Sequence, residues 1–137
     1  MSVDIEFPVE FLIEGVPLSV GASSDSKERW KSRIAVAAKA ELQEGYWATT
    51  DPVAVTIFYF PSANMQGDID NIVKLVLDSL IHVIYMNDQQ VERLLVQKFE
   101  PGRLSRFSNP SPCLAEALER ERPILYIRID NDVSRGV

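Results

Sequence analysis

The chain has 137 residues, enough for one domain with a buried core, and 46% of them are hydrophobic while 25% are charged. This composition excludes an intrinsically disordered protein. The formal net charge of -6 argues against an extensive nucleic-acid footprint on each monomer, because basic residues make the contacts to phosphates. A local basic patch is not excluded, since a summed charge does not say where the charges lie.

Cys113 is the single cysteine, so an internal disulfide and a cysteine-rich metal site are both excluded. Any metal ion must therefore be bound by oxygen atoms. No run of 18 apolar residues occurs, and the N-terminal sequence MSVDIEFPVE carries acidic residues where a signal peptide carries basic ones. We therefore expect a soluble, cytoplasmic protein.

The first half of the chain predicts a strand, a helix and a second strand. Residues 5–15 partly alternate apolar and polar side chains, which predicts a strand, and its proline indicates a sheet edge. Residues 26–45 predict a helix, because Ser26 can cap it, alanine is abundant and a glycine suits its end. Residues 52–60 (PVAVTIFYF) are rich in β-branched and aromatic side chains, which predicts a central strand.

The second half continues the alternation of helices and strands. Residues 69–84 predict a helix, 91–100 a strand, 113–122 a short helix and 123–130 a last strand. Loops with proline and glycine separate these elements. This order predicts an α/β fold in which a mixed four-stranded β-sheet is flanked by helices, and a single domain over residues 1–137.

The helix predicted over residues 69–84 has one apolar and one polar face when its residues are placed at 100° intervals. The polar face carries Asp70, Lys74 and Asp78 at successive i, i+4 spacings, so their side chains form one ridge. Leu75 and Ile81 lie at the edges of this face, where we expect them to meet a partner subunit.

Further polar residues lie near the start of this helix. Asp68 precedes Asp70 by two residues, and two carboxylates this close repel each other unless a positive group lies between them. Asn71 adds a neutral oxygen at the same end. Asp88 lies in the turn YMNDQQV just before a predicted strand. If that turn folds back over the helix start, three carboxylates meet at one point.

Three carboxylates with water in the remaining positions form the type of site that Mg²⁺ accepts. Such an ion polarises a phosphodiester and lowers the pKa of a bound water. Lys74, one turn from Asp70, can neutralise charge that develops on the phosphate in the transition state. The simpler alternative is that Asp68 or Asp70 caps the helix, while the ridge forms ordinary surface ion pairs with Lys74.

The segments GDIDNIVKLVLDSL and NDQQV together resemble the signature of the RusA-type Holliday junction resolvases. That signature runs Asp-x-Asp-Asn, then Lys, then Leu-Asp-(Ala/Ser)-Leu, and shortly afterwards (Asp/Asn)-Asp-x-Gln-Val. The composite motif is specific because it fixes several positions in order, whereas Asp-x-Asp alone carries little information. The resemblance is close over residues 67–91 and extends loosely, through the order of elements, to most of the chain.

The resemblance implies a homodimeric, Mg²⁺-dependent endonuclease with a mixed α/β fold that resolves four-way DNA junctions by paired incisions, in DNA recombination and repair. Mn²⁺ is the alternative metal. By position, the metal-binding acids of the family match Asp68, Asp70 and Asp88, and its essential lysine matches Lys74. Two other polar residues of the motif are assigned supporting roles: Asn71 and Asp78.

The sequence departs from the family pattern at two places. Asn87 stands where many relatives have an aspartate, so we expect weaker or differently tuned metal binding. Relatives often carry a basic segment after the first strand, but few positive charges precede Lys27 here. Other basic residues can contact DNA in place of this segment, and the alternative for each of them is a solvated surface charge. The candidates for DNA contacts are Lys27, Arg29, Lys31, Arg33, Arg103 and Arg106.

A non-catalytic nucleic-acid- or protein-binding dimer with the same fold is the alternative function, and the acidic net charge suits it. However, a site without activity has no physical reason to keep mutually repelling carboxylates beside Lys74, which favours the enzyme. A hydrolase of small phosphate esters is disfavoured, because the chain has no glycine-rich phosphate loop. We therefore expect branched DNA as the partner, a homodimer and no membrane association.

Overall fold

The structure is a computed structural model that describes residues 3–18, 21–64, 69–102 and 106–134. Within these ranges four strands and three helices alternate, and a one-turn 3-10 helix, Asp88–Gln90, comes just before the third strand. The elements are β1 (Val9–Glu14), α1 (Ser24–Lys39), β2 (Val53–Phe60), α2 (Asp70–Leu80), β3 (Val91–Lys98), α3 (Pro112–Glu119) and β4 (Ile124–Asp130).

The four strands form one mixed sheet in the order β1-β4-β2-β3. Strands β1 and β2 are each antiparallel to β4, whereas β3 is parallel to β2. The predicted α/β fold with a mixed four-stranded sheet is therefore confirmed, and β2 is an inner strand as predicted. Strands β1 and β3 form the two edges of this sheet.

Helices cover both faces of the sheet. Helices α1 and α2 pack on one face, where Ile34 and Val76 join the inward side chains of β2 and β4 in the larger core cluster. Helix α3 packs on the other face, where Leu114 lies against Phe60 and Tyr126. This division follows from the period of two along a strand, which sends alternate side chains of β2 to opposite faces.

The bounds of α1 differ from the predicted 26–45 at both ends. The helix begins earlier because Ser23 is its cap, and the Ser23 hydroxyl accepts a hydrogen bond from the Ser26 amide. It ends at Lys39 because the following amides turn tightly: Leu42 donates to the Lys39 carbonyl oxygen at 3.0 Å. The first strand is likewise shorter than predicted, and covers Val9–Glu14.

Helix α2 ends at Leu80 and not at residue 84 as predicted. Ile81 is extended with ψ 132°, and His82 adopts a left-handed conformation with φ 66°, which ends the helix. Val83 is buried in the core by the tight turn that follows, so its apolar character continued the helical pattern without continuing the helix. Leu75 is also buried, at 5% exposure, and the prediction that it meets a partner subunit is wrong.

The membrane prediction can be compared with the helices directly. Within the described part of the chain, every helix is too short or too polar to pass through a lipid bilayer.

Candidate active site

A groove of about 490 Å³ lies between α2 and the edge strand β3. Four of the residues singled out in the sequence line it: Asp70, Lys74 and Asp78 from α2, and Asp88 from the turn before β3. The fold therefore places the acidic turn on the same side of the sheet as the acidic helix.

The floor of the groove is apolar. Val73 and Leu77 contribute to it from α2, and Leu94 and Val96 contribute from β3. The two β3 residues pair with Val55 and Ile57 of β2, so they lie on the face of the sheet that α2 covers. The groove thus presents three carboxylates and one ammonium group along the rim of an apolar floor.

Asp70 is the first residue of α2 and is exposed. The N-cap position belongs to Ile69, which has no capping side-chain hydrogen bond, so Asp70 is not the helix cap. Its carboxylate is favoured there by the positive end of the helix dipole. Among the described residues no hydrogen bond or ion pair engages this carboxylate, which leaves its oxygen atoms available to a ligand.

Lys74 and Asp78 form an ion pair, with 3.7 Å between Lys74 Nζ and Asp78 Oδ2. The Lys74 side chain is 71% exposed. The surface ion pair expected under the simpler alternative is therefore present. Exposed pairs one helical turn apart contribute only about 0.3–0.5 kcal/mol, so this contact does not hold Lys74 against a competing phosphate.

Asp88 is held at the first position of the one-turn 3-10 helix. The Asn87 side chain caps this helix by accepting a 2.8 Å hydrogen bond from the Gln89 amide. Asparagine and aspartate are equally good caps, so Asn87 preserves the shape of the turn while it removes one negative charge beside Asp88. The weaker metal binding expected from this departure stays a prediction.

Tyr85 lies near both Asp78 and Asp88, and no motif in the sequence indicates it. Burial raises the pKa of its hydroxyl well above the ordinary 10.0, and the charges of Asp88 and Asp78 raise this pKa further. The hydroxyl donates a 2.7 Å hydrogen bond to the carbonyl oxygen of Leu77. Tyr85 therefore stays protonated and attaches the turn to α2.

The charged groups follow one another along the groove. Strands β2 and β3 are parallel, so α2, which connects them, runs in the opposite direction and brings its last turn near the start of β3. Asp88 consequently lies nearer the Asp78 end of the groove than the Asp70 end, so one cation bound by both Asp70 and Asp88 must lie between the two ends. Asp70 lies eight residues before Asp78, about 12 Å along the helix axis, with Lys74 between them.

The chemistry of these donors fits a hard divalent cation, because every acidic side chain of the groove offers carboxylate oxygens. Among the residues that the structure describes, however, no three acidic, histidine or cysteine side chains lie close enough to form a metal site. Asp68 lies outside the described residues, and so does the side chain of Asn71. Binding of one metal ion by Asp68, Asp70 and Asp88 therefore stays a prediction.

The basic residues of α1 lie on two different flanks. Arg33 faces the β1 edge, where it lines a second groove with Leu12 and Arg120. Its guanidinium donates a hydrogen bond to the Glu14 carbonyl oxygen and lies 5.1 Å from the centroid of the Trp30 ring. Arg33 is therefore at the opposite edge of the sheet from the acidic groove.

Lys27 and Lys31 lie on a different flank of α1 from Arg33, because they are more than 100° around the helix from it. Strands β1 and β2 are both antiparallel to β4, so α1 and α2 run in the same direction and their first turns lie at the same end of the sheet. Lys27 and Lys31 thus lie toward the Asp70 end. Lys31 Nζ is 3.2 Å from Glu28 Oε1.

The structure describes two of the three remaining DNA-contact candidates. Arg29 is exposed and donates a 3.2 Å hydrogen bond to Ser26 Oγ. Arg106 is exposed in the loop before α3, and Arg103 lies outside the described residues.

Comparison with known proteins agrees with the geometry of the groove. No curated protein matches the chain significantly. Residues 21–107 match the protein family described as Endodeoxyribonuclease RusA. That range is more than half of the chain and contains the whole of α2, the acidic turn and β3, which together form the groove. The chain therefore belongs to the RusA endodeoxyribonuclease family.

Proposed function

We propose that this protein is a Mg²⁺-dependent, structure-selective endodeoxyribonuclease that resolves Holliday junctions by paired phosphodiester hydrolysis, in DNA recombination and repair. The observation that carries this proposal is the groove in which Asp70, Lys74 and Asp88 line one surface, in a chain of the RusA family. We place its action in the cytoplasm and treat residues 1–137 as a single nuclease domain.

Three aspartates and one lysine have roles in the proposed reaction. Asp68, Asp70 and Asp88 hold the divalent cation, and Mn²⁺ replaces Mg²⁺ with the same oxygen ligands. A bound cation supplies Lewis-acid polarisation of the scissile phosphodiester and a water of lowered pKa. Lys74 stabilises the negative charge that develops on the phosphate, and its exposure lets it leave Asp78 for the substrate.

Electrostatics make DNA binding at the groove dependent on the cation. The chain carries a net charge of -6, and the three aspartates of the groove repel a phosphate backbone. A divalent cation held by Asp68, Asp70 and Asp88 offsets two negative charges at the groove and so weakens this repulsion. Lys27 and Lys31 add positive charge at the end of the sheet where α2 begins, which supports their role as DNA contacts.

A homodimer provides two such grooves for the two incisions. A four-way junction has two-fold symmetry, and a two-fold dimer presents the same modest basic surface to both halves of it. Each copy contributes few basic residues, so the joint contact compensates for weak binding by one subunit.

The decisive test is cleavage of a synthetic four-way junction, with a linear duplex of the same sequence as the control. We expect paired, symmetric nicks in Mg²⁺ or Mn²⁺, none in Ca²⁺ or chelator, and no cutting of the duplex. Light scattering of the same sample should give the mass of a dimer. Tight junction binding without cutting at any divalent-ion concentration would instead favour the non-catalytic dimer.

A crystal soaked in Mn²⁺ would test the ligand set directly, since anomalous scattering locates this ion. We expect one peak in the groove within coordinating distance of Asp70 and Asp88. A peak elsewhere, or none, would contradict the assigned ligands.

A further inference from the structure

Gln90, the last residue of the one-turn 3-10 helix, joins the acidic turn to a distant loop. Its Oε1 accepts hydrogen bonds from the amides of Met86 (2.8 Å) and Asn87 (3.0 Å). Its Nε2 donates hydrogen bonds to the carbonyl oxygens of Thr49 (2.9 Å) and Asp51 (3.0 Å). The Gln90 side chain therefore bonds to the acidic turn through its oxygen and to the loop before β2 through its nitrogen.

The four bonds use the full capacity of a carboxamide, which has two donor hydrogens and an oxygen with two lone pairs. Glutamate lacks the donors, methionine lacks both functions, and asparagine is one methylene shorter. Among side chains of this length, glutamine alone can make all four contacts. The requirement explains a glutamine at this position in physical terms.

The loop to which Gln90 is bound is itself fixed to the fold. The Thr49 amide donates a 2.8 Å hydrogen bond to the carbonyl oxygen of Ile84, and Thr49 forms a β-bridge with Tyr85. Two residues after Asp51, Val53 begins the inner strand β2 and is fully buried. Gln90 thus attaches the turn to a loop that leads directly into the inner strand β2.

We infer that Gln90 is a positioning residue that holds Asp88 in the acidic groove by fixing the turn against the loop before β2. The turn has internal bonds, such as that from the Gln89 amide to Asn87 Oδ1, and these maintain its local shape. A single 3-10 turn is not stable alone, so its internal bonds do not determine where the Asp88 carboxylate lies relative to Asp70. This inference rests on the proposed role of Asp88 in binding a divalent cation.

The test compares Gln90→Met with Gln89→Met in the full-length protein. Gln89 is its exposed neighbour, and its side chain makes none of the four contacts. Direct Mn²⁺ binding, measured by electron paramagnetic resonance without DNA, should weaken about 10-fold or more in Gln90→Met, as is typical when a residue that orients a metal ligand is removed. Gln89→Met should stay within about two-fold of the original affinity, because it leaves the ligands in place.

Hydrogen exchange provides a second measurement on the same variants. The amides of Met86 and Asn87 lose their acceptor in Gln90→Met and should exchange faster, whereas amides in the middle of β2 should not change. A residue that only stabilised the fold would lower the melting temperature and leave the Mn²⁺ affinity of the folded protein unchanged. Should Gln90→Met fail to fold, the neutral and polar Gln90→Asn makes the same comparison.

Two results would overturn different statements. If the unsubstituted protein binds no Mn²⁺, the proposed metal site is wrong. If it binds Mn²⁺ with an affinity that Gln90→Met and Gln90→Asn do not change, the metal site stands and the positioning role of Gln90 is wrong.

Discussion

Lys74 Nζ lies 3.7 Å from Asp78 Oδ2, one helical turn further along the helix that begins at Asp70. The pair is exposed on the lysine side, and it is oriented with the lysine before the acid, which is the weaker order on a helix. Asp78 therefore keeps Lys74 on the rim of the groove without holding it tightly, and a phosphate in the groove can replace the carboxylate.

Replacing Lys74 with alanine should remove cleavage and spare the fold. We expect four-way junction cleavage to fall at least about 100-fold, because the transition state loses a positive charge. The free energy of unfolding should change by less than about 0.5 kcal/mol. Cleavage assays and urea unfolding check the two effects. Asp78→Asn breaks the same ion pair and should lose far less activity, so equal losses in the two variants would contradict the role given to Lys74.

Removing the charge of Asp70 should abolish metal-dependent nicking. In Asp70→Asn the groove loses a carboxylate that has no described partner, so we expect nicking to fall about 100-fold or more. The free energy of unfolding should fall by less than about 1 kcal/mol, because the helix dipole no longer acts on a charge there. Single-turnover cleavage at several Mg²⁺ concentrations is the measurement. Glu119→Gln, an exposed change at the end of α3 on the other face of the sheet, is the matched control. Full activity of Asp70→Asn would rule out Asp70 as a metal ligand.

The two flanks of α1 should contribute differently to DNA binding. A Lys27→Ala/Lys31→Ala double variant should weaken junction binding and lower the slope of log affinity against log salt by about 1 to 2, because two phosphate contacts are lost. Arg33→Ala should hardly change this slope, since its guanidinium is bound to the Glu14 carbonyl oxygen at the β1 edge. Titration at several salt concentrations measures both. A larger change of slope in Arg33→Ala than in the double variant would place the DNA on the β1 edge.

Alkaline pH should destabilise the protein through two buried tyrosines. Burial raises the pKa of Tyr85 and Tyr126 above the ordinary 10.0, and a hydrogen bond to Glu10 also raises that of Tyr126. Their contribution to the free energy of unfolding is complete below pH 10. It is lost as the pH rises further, because the unfolded chain then releases protons that the folded chain keeps. The expected slope is about 1.4 kcal/mol per pH unit for each tyrosine.

Urea unfolding between pH 8 and 11.5 measures this slope. Tyr85→Phe removes the ionisation of Tyr85 alone, so the fall in the free energy of unfolding above pH 10 should become less steep by about one proton. A stability that is level up to pH 11.5 would contradict the raised pKa values.

The local pattern of the sequence determined the helices and strands, because apolar periodicity and turn residues act over a few positions. The strand PVAVTIFYF is an inner strand as its composition predicts, and Asp70, Lys74 and Asp78 lie on one ridge because helical spacing requires it. The local pattern determined the ends of the helices and strands less well. Val83 continues the apolar pattern of α2, but the turn after the helix buries it. Periodicity alone does not distinguish an apolar residue buried by a helix from one buried by a turn.

Tertiary structure alone decided which distant residues meet. Asp88 reaches the groove of Asp70 because the parallel pairing of β2 and β3 returns the chain beside α2, and Gln90 holds that turn to a loop about forty residues earlier. The same topology placed Arg33 at the far edge although it lies on the same helix as Lys31. Spacing along a chain sets contacts within one element, whereas contacts between elements depend on how strands pair, and this pairing is a property of the whole sheet.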